Sequence, residues 1–168
     1  MKGNTIKTCA DPRQVAADAT EIFHNGYACS EAVIYAVDKH FELGMGVDAI
    51  AMSSGFPWGL GGGGCLCGAA AGAVMCLGFV FGRREPGDPC CARCWELAEE
   101  FYQAMRESCG STCCRVLMRG LERDDPERKA GCTRAVDFAA AKVTEMLNRE
   151  LAKGAETVPL LTSAVLRG

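Results

Sequence analysis

Apolar residues recur along this chain at helical spacing, and no stretch alternates with the period of two that marks a strand. Asp11 and Pro12 open a first helix to about His24, with Val15, Ala19, Ile22 and Phe23 as its apolar stripe and Asn25-Gly26 as its stop. A second helix is predicted from about Ser30 to Phe41, with Ala32, Val33, Ala36 and Val37 facing inward. Asp48–Met52 reads as a short helical turn, and Gly55–Gly64 as a glycine-rich loop. The next helix, from about Cys67 to Phe81, is apolar on every side.

After the connector Arg83–Gly87, Asp88-Pro89 signals a helix whose body is Cys90–Arg106, broken at Gly110. Ser111 or Thr112 can cap a short helix over Cys113–Met118. LERDDPERK reads as a charged surface loop, and a last long helix covers about Ala130–Ala152. The expected fold is all-α: a compact helical bundle around a buried Gly/Ala-rich helix. Residues 1–154 would form one cysteine-rich domain, and 155–168 a tail that is extended or docks on a partner.

Composition changes this picture in one respect. Twelve of the 168 residues are cysteine. Disulfide-dense chains are usually short secreted modules that lack a core of their own. Here 49% of residues are hydrophobic and the opening MKGNTIKTCADPRQ has no apolar leader segment, so a cytoplasmic, thiol-reduced protein is expected. A net charge of −3 argues against nucleic acid as a partner. Residues 49–82 carry no charge, but their glycine content argues against membrane insertion.

Most of the cysteines fall where helices should begin. Cys29 precedes the second helix and Cys67 starts the apolar one; Cys90 and Cys91 open the helix after Pro89. Cys113 and Cys114 occupy the first turn after Ser111-Thr112, and Cys132 the first turn of the last helix. Unpaired backbone N–H groups at such positions stabilise thiolates, or an anionic metal–sulfur group held by them. Cys91-Ala92-Arg93-Cys94 is a CxxC with both sulfurs on one helix face, and Arg93 between them should favour the thiolate. Cys76 reads as core filler and Cys9 as incidental. Consecutive glycines at 61–64 let backbone pass close to the thiols, or let Cys65 and Cys67 turn towards one centre. Gly68 and Gly72 form a small face for tight helix packing, and Trp58 and Trp95 read as core or interface residues. His24 and His40 read as helix-end residues, and Glu96, Glu99 and Glu100 as a solvated face.

From Tyr27 to Cys132 the chain resembles the redox-active proteins named for a C_GCAxxG_C_C cysteine pattern. The matching pieces are Cys29-Ser30-Glu31-Ala32-Val33, then Cys67-Gly68-Ala69-Ala70-Ala71-Gly72, then Gly110-Ser111-Thr112-Cys113-Cys114-Arg115, and last Cys132. The resemblance implies Cys29, Cys67, Cys114 and Cys132 as the core set. Cys65, Cys90, Cys91, Cys94, Cys109 and Cys113 are additions, and candidates for a second site. No CxxCH attachment motif for haem is present.

Three functions compete. The leading one is an iron–sulfur protein, with a [4Fe–4S] cluster on the core set, passing electrons to a redox partner protein. The second is a thiol–disulfide oxidoreductase using Cys91 with Cys94, or Cys113 with Cys114. The third is a soft-metal thiolate protein for Zn or Cu(I). Small-residue faces and the apolar tail allow a homodimer.

Overall fold

The computed structural model describes residues 6–88 and 91–154. The region assigned to the C-terminal tail, together with Pro89 and Cys90, lies outside the described residues. The described residues form eight helical segments and no strand: α1 Pro12–His24, α2 Cys29–Phe41, α3 Gly46–Ser53, α4 Pro57–Leu60, α5 Gly68–Phe81, α6 Cys91–Cys109, α7 Cys114–Leu117 and α8 Pro126–Ala152.

α1, α2, α5 and α8 pack on one another to make the core, α6 lies against α5 and α8, and α3 covers one end of α2. Asp11 caps α1 by accepting a hydrogen bond from the Arg13 N–H, with Pro12 in the first turn. All four inward positions expected on α2 are fully buried. Phe41, Phe81, Phe101, Leu77 and Leu147 fill the centre, each burial stabilising the fold by about 1.5–3 kcal/mol.

α5 holds the middle. Its N-terminal half, Gly68–Ala73, is buried on all sides, whereas Val74, Met75, Gly78 and Phe79 keep a partly exposed face. Gly72 permits a close backbone approach in the core: a Cβ there would sit 2.6 Å from the Ser30 carbonyl oxygen of α2. Ser30 Oγ in turn donates to the Ser53 carbonyl at 2.9 Å and ties down the end of α3.

Three features differ from the sequence expectation. α8 begins at Pro126 with Asp125 as its cap, so the charged segment before residue 130 is partly helical and Cys132 lies in the second turn. Asp125 accepts from the Glu127 N–H, and Pro126 sits where a missing N–H costs nothing. Within the glycine-rich loop, Pro57–Leu60 makes one distorted turn in which Trp58 has a φ of 55°. Trp58 and Trp95 are 47% and 63% exposed, so neither belongs to the core.

Candidate functional site

Cys29, Cys67, Cys114 and Cys132 come together. All four line one cavity of about 450 Å³, with Gly68, Glu31, Arg128 and the aromatic side chains of Tyr27 and Trp58. Each thiol arrives on a different element. Cys29 is the first residue of α2, Cys67 the N-cap of α5, Cys114 the first residue of α7, and Cys132 lies two turns into α8.

Local interactions fix each arm. Ahead of Cys29, Glu31 accepts from the Ala28 N–H at 2.8 Å and from Ser54 Oγ at 2.6 Å, which locks the start of α2 against the end of α3. Cys67 donates its N–H to the Thr112 carbonyl at 2.8 Å, and Arg115 donates its N–H to the Gly64 carbonyl at 2.8 Å. These two bonds staple the loop before α5 to the loop before α7. The absence of a Cβ at Gly68 is a spatial necessity, because one would run into Cys29 Sγ. Gly68 therefore serves the cysteine site, while Gly72 serves the helix packing expected of both.

Burial dominates the electrostatics of these sulfurs. Burial pushes the Cys29 thiol up to about 12, with further contributions from Cys67, Cys132 and Cys114. Burial likewise raises Cys67 to about 11, against the backbone N–H groups of Ala70 and Ala69 that bond its sulfur. Cys114 and Cys132 are also raised by burial, and the Arg128 guanidinium opposes the rise at both. Arg128 Nη2 lies 3.9 Å from Cys114 Sγ and Nη1 donates to the Leu121 carbonyl at 2.8 Å. Its Nε is buried without a hydrogen-bond partner. Sequence reasoning missed Arg128. The signal was its i, i+4 spacing from Cys132, hidden by an expected helix start at residue 130.

The additional cysteines are scattered. Cys65 is exposed and Cys113 half-buried, and Cys113 raises the Cys65 thiol. The glycine loop thus turns Cys67 into the cavity and Cys65 away from it, rather than aiming both at one centre. Cys113 Sγ also donates to the Gly64 carbonyl at 3.1 Å. The backbone N–H groups of Val116 and Arg115 at its sulfur hold the Cys113 thiol below the usual range. Cys91 and Cys94 are buried at the start of α6, and Cys109 closes the same helix. Cys90 lies outside the described residues.

Arg93 does not serve the CxxC. Its Nε and Nη2 donate to Glu150 at 3.0 and 2.7 Å, and its Nη1 to Glu96 at 2.6 Å. The guanidinium is turned towards α8 because Glu150 is buried there and requires cations. Burial raises the Cys94 thiol. Glu100 is not merely solvated, since Arg149 grips both its oxygens at 2.7 Å. Cys76 is fully buried in the core. His24 bonds Thr133 Oγ1 and His40 bonds Asp18, each at the end of its helix.

Among the described residues, no three Cys, His, Asp or Glu side chains are grouped around a point that one metal ion could occupy. No helix among them is long and apolar enough to cross a membrane. Comparison of the sequence with known families finds a match to "Putative redox-active protein (C_GCAxxG_C_C)" over residues 27–146. No curated protein and no solved structure matches the chain.

Proposed function

Since the chain belongs to the C_GCAxxG_C_C family of redox-active proteins, we propose that Cys29, Cys67, Cys114 and Cys132 hold an iron–sulfur cluster and that the protein transfers electrons. The observation that carries this reading is the convergence of four thiols from four elements on one cavity. Three features fit an anionic, sulfur-rich group there. The donor set is four soft thiols, Gly68 leaves room beside Cys29 Sγ, and Arg128 brings a buried N–H with no partner. When bound, such a cluster supplies a one-electron redox couple.

The protein's own residues would set the conditions. All four thiols must lose their protons to ligate, and burial holds those protons on. Loading therefore releases protons and strengthens as pH rises. Arg128 offsets negative charge on the Cys114 and Cys132 side, and the N–H groups of Ala69 and Ala70 do so at Cys67. Exposed Tyr27 and Trp58, with Arg123 stacked 4.9 Å from the Trp58 ring centre, form the rim that we assign to a redox partner protein.

Anaerobic purification followed by iron, acid-labile sulfide, zinc and copper analysis tests the reading. A brown protein with near-equal iron and sulfide, bleached reversibly by dithionite, is the expected result. A protein that stays colourless and iron-free after cluster reconstitution would refute it.

A further inference from the structure

Cys65 and Cys113 make a second, separate arrangement. The two staples that hold the loop before α5 against the loop before α7, Gly64 to Arg115 and Cys67 to Thr112, bracket both residues. Cys65 is thereby set opposite Cys113, 48 residues away in sequence, and Cys113 Sγ donates at 3.1 Å to the carbonyl of Gly64, next to Cys65. Both stand outside the cavity that the other four cysteines line. Cys65 is exposed and Cys113 half-exposed, so an incoming molecule can reach them.

Beside the pair runs a groove of about 480 Å³. It is lined by Gly64, which precedes Cys65, by Arg115, two residues after Cys113, and by Arg119, Arg123 and Arg128, with Glu122 its one acidic residue. Four guanidinium groups against one carboxylate make it a place for an anion.

We propose that Cys65 and Cys113 are a redox-active dithiol that reduces low-molecular-weight disulfides carrying carboxylates, which the arginine groove receives. One sulfur attacks the disulfide, forming a mixed disulfide and releasing the first thiol of the substrate. The other protein sulfur then attacks the mixed disulfide, closing a Cys65–Cys113 bond and releasing the second thiol. Two electrons pass from the pair to the substrate, and its two protons leave on the two released thiols. The inference does not depend on the four-cysteine reading, because neither residue belongs to that ligand set.

The test treats the full-length, anaerobically purified protein with oxidised glutathione, quenches with iodoacetamide, and maps disulfides by peptide mass spectrometry. The stoichiometry predicts about two glutathione thiols released per chain and a cross-link between the Cys65 and Cys113 peptides. Cys65→Ser should stop after about one thiol, leaving glutathione on Cys113. Arg119→Gln should slow the reaction with oxidised glutathione roughly three- to tenfold and slow the reaction with neutral hydroxyethyl disulfide much less. A cross-link of Cys113 to Cys114 or of Cys91 to Cys94, or none at all, would overturn the dithiol. Equal slowing with both disulfides would overturn the assigned substrate class. Iron and sulfide measured on the same samples report on the cavity separately.

Discussion

Two cysteine groups of this protein both stand out in sequence and are opposite in structure. The CxxC at the start of α6 has its sulfurs close in sequence and an arginine between them, yet Arg93 is committed to Glu150 and Glu96. Cys94 is raised by burial, and the ion pairs around Arg93 tie α6 to α8. The cavity cysteines are 38, 47 and 18 residues apart along the chain, yet they meet around one space with a cation beside them. Proximity in sequence thus produced a structural joint, and convergence in space produced the candidate site.

The sharpest way to break this contrast is to fill the space beside Cys29. Gly68→Ala adds a Cβ that must displace the Cys29 sulfur. We expect most bound iron to be lost and stability to fall by about 1–3 kcal/mol, measured by iron analysis and urea unfolding. Retention of full iron would show that the Cys29 position is not needed.

Glu150→Gln probes the other region. Glu150 is only 3% exposed and faces Arg93 and Arg149. Those partners stay partly exposed, so the cost should be about 1–3 kcal/mol, with iron content unchanged. The hydrogen bonds from Arg93, then Arg149, hold the Glu150 carboxyl down from 4.5 to about 2. Its contribution is complete above about pH 4.5 and is lost as the pH falls towards 2. The variant should show a flatter loss of stability over that window in acid unfolding.

Thiol reactivity should also divide the molecule. In iron-free protein at neutral pH, iodoacetamide should modify Cys113 well before Cys29 or Cys67, whose thiols burial keeps protonated. Peptide mapping over time reads the order, and early modification of Cys29 would contradict the enclosure of the cavity. The smallest effect has the opposite sign. Gly78→Ala on α5 meets nothing within 4 Å and should stabilise the helix by about 0.5–1 kcal/mol.

The helices were legible because their signals are local. Asp11-Pro12, the inward stripe of α2 and the run from Gly68 to Phe81 each carry period, cap and stop in neighbouring residues. The start of α8 was misread because its cap, Asp125, sits inside a charged run that also suits a loop. Arg128 and the pairing of Cys65 with Cys113 were not legible, since both depend on which loops are stapled together in space. The four-cysteine grouping was reached through family resemblance. Spacing alone could not choose it over the CxxC, where two sulfurs are close in sequence but the arginine points elsewhere.

The most direct test of the four-cysteine site compares iron and sulfide content in Cys132→Ser with that in a Cys91→Ser, Cys94→Ser double variant, each purified anaerobically beside the unaltered protein. The account predicts that Cys132→Ser loses most of its iron while the double variant keeps it. Iron lost from the double variant and retained in Cys132→Ser would place the metal chemistry on α6 and contradict the account.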